Sequence, residues 1–304
     1  MLFVNLEVKY MTDIRLKVFQ SVARNLSFTA ASKELFMSQP AVSRHVQELE
    51  KEYHTRLFDR MGQRIMLTLS GQLLLDYCNR ILDNYRQMDF EMNKERSRFS
   101  GEIRLGASTT LAQYVMPEYI ARFLKEYPHI KISMLSGNTR DIESALLKSN
   151  IDIGMVEGAA RQPQIRYIPF MKDELVAFAN VKGKYRSLES LSVKELQKIP
   201  LVMREQGSGT LEVIERALHG CGASLSDMNI VMYFGTTEGI KHFVAHSDAM
   251  GIVSVHAVRS ELLAGLFHII ELPDLQLMRD FAFTEKHGDN SGILQTLKDF
   301  MLRT

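Results

Sequence analysis

The sequence of 304 residues contains only two cysteines and no hydrophobic run long enough to cross a membrane. Cys78 and Cys221 form no C-x-x-C pair, so the sequence predicts neither a disulfide framework nor a zinc module. Glu7 and Lys9 interrupt the first ten residues, where an export signal needs an apolar core. These absences exclude a disulfide-rich secreted domain and an integral membrane protein, and they predict a cytoplasmic location.

The net charge is also small, at +1, but it is unevenly distributed. Residues 12–70 hold nine Lys and Arg against six Asp and Glu, which leaves +3 in this segment and −2 in the rest of the chain. A modest positive charge at one end suits a module that touches few phosphates. It excludes a histone-like chain that coats DNA without sequence preference.

Residues 27–49 have the pattern of two short amphipathic helices joined by a tight turn, a helix-turn-helix. Ser27 and Ser38 each precede an apolar-periodic run, so each is predicted to cap a helix. Arg and Gln side chains on the polar side of the second helix fit purine edges in a major groove. The residues of this helix predicted to contact DNA are Ser38, Gln39, Pro40, Ser43, Arg44 and Gln47.

Residues 55–68 indicate an Arg-rich β-hairpin with its turn at residues 61–63. Such a hairpin directly after a helix-turn-helix is a wing, and Arg56, Arg60 and Arg64 are predicted to contact DNA there. A short polar helix by itself is usually a solvated surface helix, so the wing is what favours DNA binding. The winged helix-turn-helix is predicted to span residues 12–69.

Residues 70–98 contain no proline and indicate one long linker helix. Apolar residues follow the a and d positions of a heptad, at Leu74, Cys78, Ile81, Tyr85, Met88 and Met92. A helix of this length is about 40 Å long, and an exposed apolar seam along it needs a partner chain. The pattern predicts a homodimer through this helix, and the alternative is a helix packed on its own domain.

From residue 100 onward, short β-branched runs alternate with helical patterns, which is typical of α/β layers. Strands are predicted at residues 102–106, 130–135, 152–156 and 166–170, with helices at 111–127 and 141–149. A second set begins with a strand at 174–180, and the chain returns through strands at 267–272 and 279–284. The predicted domain 100–304 therefore has two lobes, lobe I at 100–170 and 267–304 and lobe II at 171–266, a plan that resembles periplasmic binding proteins.

Hydroxyl-rich segments follow four of these strands and open the next helices, at residues 106–110, 136–139, 207–210 and 235–237. Free amides and the positive dipole end at a helix start attract anions, so the pattern predicts a cleft for a small anion. The alternative is that each hydroxyl only caps its helix; Thr110 and Gln113, for example, fit a capping box.

Three motifs, SFTAA at 27–31, SQPAVS at 38–43 and LFDR at 57–60, make residues 14–71 resemble LysR-type transcriptional regulators. The resemblance can be followed to Thr304. It implies a winged helix-turn-helix, a linker helix and a two-lobed α/β effector domain of the periplasmic binding protein type. It also implies a regulator that is not an enzyme and needs no cofactor or metal.

The partners expected from this resemblance are double-stranded DNA, a small anionic effector, RNA polymerase and further copies of the chain, as a homodimer and a homotetramer. Ser108, Thr109, Thr110, Thr139, Ser208 and Thr210 match effector-contacting positions, with Arg204 and Glu205 near the mouth of the cleft. Gly209 and Thr236, from the same hydroxyl-rich segments, complete the predicted ligand-binding set. The version of the motif at residues 204–210 resembles members that sense sulfur or carbon metabolites.

An enzyme is the alternative function, since two α/β lobes around a hydroxyl-rich cleft suit a transferase or hydrolase. The sequence contains no G-x-S-x-G elbow, no phosphate-binding G-x-x-x-x-G-K-[ST] loop and no dinucleotide loop. A transport receptor, the third option, conflicts with the missing export signal and the winged segment. His242 and His246 have the spacing of a metal pair, but no third ligand is evident, so no metal site is predicted.

Overall fold

The computed structural model describes residues 13–61, 64–95, 100–158, 161–287 and 292–303, and only the backbone of residues 60, 61, 64 and 93–95. Contacts divide the chain into two compact units, Met1–Arg98 and Phe99–Thr304. Residue 12, the tip of the wing at residues 62–63 and the predicted end of the linker at 96–98 lie outside the described residues. Within the described residues, no helix is both long and apolar enough to span a membrane.

The described part of the first unit consists of helices and one β-hairpin. Its elements are α1 (Ile14–Asn25), α2 (Phe28–Glu34), α3 (Gln39–Glu52), β1 (Phe58–Met61), β2 (Arg64–Leu67) and α4 (Leu69–Glu95). Ser27 Oγ accepts from the amide of Ala30 at 3.1 Å, and Ser38 Oγ accepts from the amide of Ala41 at 3.4 Å. Both predicted caps are confirmed, because each hydroxyl satisfies a first-turn amide that has no partner within its helix.

The first half of α4 packs on its own unit. Cys78 and Leu82 are buried with Phe19 and Val46 in one apolar core, and the Cys78 thiol donates to the carbonyl of Leu16 at 3.1 Å. Burial raises the pKa of this thiol to about 12, so it stays protonated. The prediction that Cys78 lies in a seam for a second chain is therefore wrong, because its side of α4 covers the core of its own unit.

A different side of α4 is exposed. It carries large apolar side chains at a spacing of four residues, namely Leu69, Leu73, Tyr77 and Ile81, which we call the α4 stripe. Residues four apart on a helix lie on one face. Of the predicted seam, only Ile81 belongs to this stripe.

The second unit is an α/β domain in which strands and helices alternate. Its elements are β3 (Ser100–Ser108), α5 (Met116–Glu126), β4 (His129–Gly137), α6 (Thr139–Leu147), β5 (Ile153–Glu157), β6 (Ile165–Asn180), α7 (Val193–Leu196), β7 (Leu201–Arg204), α8 (Gly209–Gly220), β8 (Ile230–Phe234), α9 (Thr237–Ala245), β9 (Met250–Ser254), α10 (Val255–Leu263), β10 (Phe267–Ile270), β11 (Met278–Lys286) and α11 (Gly292–Arg303). The strands follow the order β4-β3-β5-β11-β6-β9-β7-β8, and β10 pairs with β6.

Two lobes are present, as predicted, and they share this sheet. In the first lobe β3 runs parallel to β4 and β5, and in the second β7 runs parallel to β8 and β9. Strand β6 belongs to both lobes, because its first part pairs with β11 and its last part pairs with β9 and β10. The segments predicted as two strands, 166–170 and 174–180, are therefore one continuous strand.

The predicted boundary of the second lobe at residue 266 is wrong. Strand β10 pairs antiparallel with the end of β6, and the Phe267 ring packs on Phe178 with centroids 4.8 Å apart. Leu272, Leu275 and Leu277 are buried in the core of the second lobe. The chain returns to the first lobe only at β11, because the segment before it covers the apolar side of the second lobe.

Candidate functional site

Helix α3 exposes its polar side, as the sequence predicts. Ser38, Gln39, Pro40 and Gln47 are exposed and Ser43 is half-buried, and Gln39 Nε2 donates to Ser43 Oγ at 3.0 Å. The Arg44 side chain is 80 % exposed and its Nε lies 3.0 Å from Glu48 Oε1. An exposed ion pair of this kind contributes only about 0.3–0.5 kcal/mol, so Arg44 can exchange Glu48 for another acceptor at little cost.

The wing begins at a carboxylate of α3. Glu50 Oε1 accepts from the amides of Leu57 at 2.8 Å and Phe58 at 3.4 Å, which fixes the start of the hairpin to the helix. Arg56 is exposed just before β1. The side chains of Arg60 and Arg64 lie outside the described residues, although their backbones pair in the hairpin. Sequence reasoning missed Glu50, because nothing local distinguishes it from neighbouring acidic residues.

In the second unit, Arg204 is buried where the two lobes meet, and not near the mouth of a cleft as expected from the sequence. Its side chain is 1 % exposed, and Nε lies 2.8 Å from Glu205 Oε2, while Nη2 donates to Glu205 Oε1 at 3.0 Å. Nη1 donates to Thr109 Oγ1 at 2.8 Å and to Thr237 Oγ1 at 3.3 Å. Because Thr109 follows β3 and Thr237 begins α9, this guanidinium group connects the two lobes.

A second buried guanidinium group, that of Arg279, lies where β11 begins. Its Nε donates to Asp173 Oδ2 at 2.7 Å and its Nη1 donates to Thr210 Oγ1 at 3.0 Å. Glu157 Oε1 is 3.5 Å from Nη1, and Ser254 Oγ donates to Asp173 Oδ1 at 2.6 Å. The Nη2 atom is buried and has no hydrogen-bond partner within the described part of the chain.

Glu157 ends strand β5 and ties three of the predicted segments together. Ser108 Oγ donates to its carboxylate, and Thr139 Oγ1 donates to its carbonyl oxygen at 2.7 Å. The same carbonyl lies opposite Gly209, where an added Cβ would stand 2.2 Å from the oxygen. Gly209 is therefore a glycine because α8 begins in direct contact with β5.

Contacts between loops also bring the helix starts together. Asn138, the N-cap of α6, donates from Nδ2 to Glu205 Oε1 at 3.3 Å, and the amide of Arg140 donates to the carbonyl of Gly207 at 3.3 Å. Ser208 caps α8, its Oγ accepting from the amide of Thr210 at 3.2 Å. The positive ends of α6, α8 and α9 thus lie around the buried Arg204, which favours negative charge in the cleft.

Two predicted positions differ from expectation. Thr110 is buried but makes no side-chain cap hydrogen bond, so the predicted capping box with Gln113 is wrong; Ser108 Oγ instead accepts from the amide of Leu111 at 3.4 Å. Thr236 is exposed and its Oγ1 accepts from the amide of Gly239 at 3.1 Å, which makes it the cap of α9. Its neighbour Thr237 is the residue that contacts Arg204.

A further contact joins the lobes through a π-helical turn, Leu111–Val115. Tyr114 in this turn packs against the core of the second lobe, and its hydroxyl donates to Glu238 at the start of α9. Lys241 Nζ is 2.7 Å from both Glu238 Oε1 and Glu261 Oε1. Burial, followed by the bond to Glu238, raises the pKa of Tyr114 above its ordinary value.

Sequence reasoning missed Tyr114, Glu157, Asp173 and Arg279, and within the segment 235–237 it chose Thr236 instead of Thr237. A usable signal existed for Glu157, because a charged residue directly after the fully apolar Met155 and Val156 and before a glycine marks a strand end. Arg279 and Asp173 are 106 positions apart, and no local pattern connects them. His242 Nε2 lies 3.9 Å from Glu238 Oε2, and the described residues contain no group of three metal ligands.

Two family profiles match this chain. Residues 14–72 match "Bacterial regulatory helix-turn-helix protein, lysR family", and residues 96–304 match "LysR substrate binding domain". The uncharacterized HTH-type transcriptional regulator YeiE of Escherichia coli (strain K12) is 32 % identical over 270 residues, 89 % of either chain. HTH-type transcriptional regulator CysL of Bacillus subtilis (strain 168) is 28 % identical over 268 residues, 88 % of this chain and 89 % of CysL.

Solved structures share the fold. A full-length single-residue variant of OxyR from Pseudomonas aeruginosa superimposes with a TM-score of 0.74 at 16 % identity, covering 96 % of this chain and 95 % of that one. Full-length CbnR complexed with its target DNA gives a TM-score of 0.64 at 19 % identity, covering 96 % of this chain and 99 % of CbnR. The effector binding domain of QuiR in complex with shikimate gives 0.60 at 19 % identity, covering 67 % of this chain and 96 % of that domain.

Proposed function

Because the chain belongs to the LysR family of bacterial transcriptional regulators, we propose that it binds operator DNA through its first unit and responds to a small anion held between the lobes of its second unit. In this proposal, residues 12–69 bind DNA, residues 70–98 form the dimer and residues 100–304 bind the effector. Its site of action is the cytoplasm, where operator DNA lies.

The observation that carries the effector proposal is the pair of buried guanidinium groups, Arg204 and Arg279, among the hydroxyls of four converging segments. Both cations are already paired, Arg204 with Glu205 and Arg279 with Asp173 and Glu157. An anionic ligand is therefore favoured by the hydroxyls and helix starts around them rather than by unpaired buried charge. Arg279 Nη2 still has a donor without a partner among the described residues. The proposed ligand-binding residues are Ser108, Thr109, Thr110, Thr139, Arg204, Ser208, Gly209, Thr210, Thr236, Thr237 and Arg279.

DNA recognition is proposed for the exposed start of α3 and for the wing. Ser38, Gln39, Pro40, Ser43, Arg44 and Gln47 lie at the start or on the polar side of this helix, which suits a major groove. Arg56, Arg60 and Arg64 are proposed as contacts of the hairpin, with Arg60 and Arg64 on phosphates. The structural relative CbnR has been solved with its target DNA, which supports this use of the fold.

Oligomerisation is proposed through the α4 stripe, because an exposed apolar row along a helix is stabilised by burial against a second copy. Two such dimers form the proposed homotetramer, with RNA polymerase as a further partner. Effector binding is proposed to shift lobe closure and thereby the spacing of the DNA-binding units on the operator. An effector shifts this equilibrium only through its different affinity for the two states.

A thermal-shift panel tests the effector proposal with sulfate, thiosulfate, phosphate, O-acetylserine and small carboxylates. A ligand that binds only the folded state stabilises it by RT ln(1 + L/Kd) at a free ligand concentration L, so the unfolding temperature rises with the ligand concentration. Footprints of the chain's own promoter fragment, with and without the stabilising anion, should then differ in length or in bending. Substrate turnover without any retardation of DNA would instead support an enzyme and contradict the proposal.

A further inference from the structure

The Glu205 carboxylate already binds the Nε and Nη2 edge of the Arg204 guanidinium group, which is the edge that suits an oxyanion. The two oxygens of Glu205 receive Nε at 2.8 Å and Nη2 at 3.0 Å, as two parallel hydrogen bonds. This fork-to-fork geometry is the arrangement in which a guanidinium group binds carboxylate or phosphate most strongly. A carboxylate of the protein therefore stands where the carboxylate or oxyanion group of a ligand would bind.

Arg204 does not depend on Glu205 for its orientation. Nη1 donates to Thr109 and Thr237, and Nη2 also donates to the carbonyl of Gly235 at 3.3 Å. These contacts hold the guanidinium group from the side opposite the fork. If the Glu205 carboxylate moves away, the fork stays in place and can receive another anion.

Glu205, in contrast, lies closer to solvent. Its side chain is 27 % exposed, whereas that of Arg204 is 1 % exposed. It directly follows β7, and Gly207, two residues later, has a φ of +90°. Besides Arg204, the contact described for its carboxylate is Asn138 Nδ2 at 3.3 Å. Rotation of one side chain moves this carboxylate from the guanidinium group to solvent.

We propose that Glu205 is a built-in competitor of the effector: the oxyanion of the effector replaces the Glu205 carboxylate on Arg204. This inference rests on the proposed function, which supplies the anionic effector. The exchange keeps Arg204 paired throughout, so no unpaired buried charge is created. It also breaks the contact between Glu205 and Asn138, which joins the two lobes, so ligand exchange on Arg204 is linked to the lobe interface.

Competition by Glu205 sets the affinity for Arg204 that a ligand must exceed in order to bind. A carboxylate attached to the neighbouring residue acts at an effective concentration on the order of millimolar or above. A free monocarboxylate that only imitates Glu205 therefore gains nothing by replacing it. A ligand that also reaches the hydroxyls of Thr109 or Ser208 does gain, so the site selects oxyanions with several acceptor oxygens, such as tetrahedral anions and hydroxy-carboxylates.

The test compares anion binding by the full chain and three variants, with inorganic sulfate, inorganic phosphate and acetate as the probes in isothermal titration. Glu205→Gln removes the competing charge, and Glu205→Asp shortens it by one carbon. Glu215→Gln, which removes a carboxylate from α8 outside the described contacts of Arg204, is the matched control. We expect Glu205→Gln to bind sulfate and phosphate at least tenfold more tightly than wild type, Glu205→Asp to lie between them, and Glu215→Gln to stay within twofold of wild type.

A second measurement is needed because Glu205→Gln removes the carboxylate paired with Arg204 and can lower the stability of the protein. The rise in unfolding temperature on adding sulfate should be larger for Glu205→Gln than for wild type. Equal sulfate affinities and equal temperature rises in these two proteins would overturn the competitor while leaving the anion site intact. Failure of every protein in the set to bind sulfate or phosphate would overturn both the competitor and the proposed anionic effector.

Discussion

The hydroxyl of Tyr114, in the first lobe, donates a hydrogen bond to the carboxylate of Glu238, in the second lobe. The Lys241 ammonium lies 5.1 Å from the centre of the Tyr114 ring and 2.7 Å from the same carboxylate. One aromatic side chain thus inserts its polar tip into an ion pair of the opposite lobe. Separation of the lobes must break this contact.

Replacement of Tyr114 by Phe removes the hydroxyl and keeps the ring. Hydrogen bonds to charged groups contribute about 1.5–3 kcal/mol, and partial exposure of Glu238 reduces this, so we expect a loss of about 1 kcal/mol in unfolding free energy. Chemical denaturation of wild type and variant measures it. Tyr233→Phe, at an exposed position on β8, is the control and should leave stability unchanged; an equal loss in both variants would contradict the role of the lobe contact.

Stability should depend on pH through Glu238 and Glu143 with opposite signs. Partial burial raises the pKa of Glu238, but hydrogen bonds from Lys241 and Tyr114 outweigh it, so its pKa lies below 4.5. Its contribution is therefore present above pH 4.5 and is lost as pH falls through the lowered value. Burial raises the pKa of Glu143 above 4.5, so its contribution is present below pH 4.5 and is lost as pH rises through the raised value.

Unfolding temperatures of Glu238→Gln and Glu143→Gln, measured at about pH 4 and about pH 7, check these signs. Glu238→Gln should unfold at a lower temperature than wild type at the higher pH. At the lower pH its unfolding temperature should approach that of wild type. Glu143→Gln should be stabilised at the higher pH, because it replaces a buried charge that accepts from Tyr167 Oη at 2.6 Å. Parallel pH profiles for the two variants would refute the assignment.

The features that sequence reasoning obtained correctly are local ones. Ser27 and Ser38 cap helices through amides three residues away, a distance that the sequence itself displays. Strand β10 was assigned to the wrong lobe because its partner β6 is about 90 residues earlier in the chain. A heptad pattern likewise does not show which side of α4 packs on the first unit. The sequence therefore predicts Cys78 on the face toward a second chain, whereas it lies in the core of its own unit.

In the predicted ligand site, too, local features are visible in the sequence and long-range contacts are not. The hydroxyl-rich segments are visible in the sequence because each lies between a strand and a helix, and contacts from Arg204 and Glu157 do bring them together. The charges that connect them were missed. Asp173 and Arg279 meet only because β6 and β11 are neighbours in the sheet, and that pairing depends on the whole fold.

Dimerisation should depend on Tyr77, in the middle of the α4 stripe. Tyr77→Lys places a charge in the proposed helix seam without touching the buried core of the unit, so we expect a folded monomer that has lost only the stabilisation supplied by the second copy. Sedimentation velocity gives the mass. Asp76→Lys changes the adjacent exposed residue and should keep the assembly of wild type. A dimer in Tyr77→Lys would show that the contact between copies lies elsewhere.

Substitutions of Arg44 and of the wing arginines should affect DNA binding in different ways. If the proposed contact of Arg44 is with a guanine, Arg44→Ala should cost about 1–3 kcal/mol of discrimination between operator and unrelated DNA. Arg60→Ala and Arg64→Ala should instead weaken binding to every DNA sequence by the same factor. Each should also reduce the slope of log affinity against log salt concentration by about one unit. Fluorescence anisotropy with both DNA sequences over a range of salt measures these effects. Unchanged operator preference in Arg44→Ala would exclude α3 as the reading helix.

Helix α8 offers a matched pair of glycines at its two ends. A Cβ on Gly209 would stand 2.2 Å from the carbonyl oxygen of Glu157 and 2.8 Å from Thr139 Oγ1, whereas a Cβ on Gly220 would have no heavy atom within 4 Å among the described residues. Gly209→Ala must push the start of α8 away from β5, and overpacking of this kind costs about 1–3 kcal/mol. Gly220→Ala should be neutral or stabilise the helix by up to about 1 kcal/mol.

The same pair distinguishes a packing role of Gly209 from its role in the cleft. Because the clash is with a backbone atom across the cleft, Gly209→Ala should lose the stabilisation by added sulfate as well as intrinsic stability, while Gly220→Ala keeps the response of wild type. Thermal unfolding with and without sulfate measures both quantities in one experiment. A Gly209→Ala protein with lower stability but a full sulfate response would mean that the contact between α8 and β5 only supports the fold and does not shape the anion site.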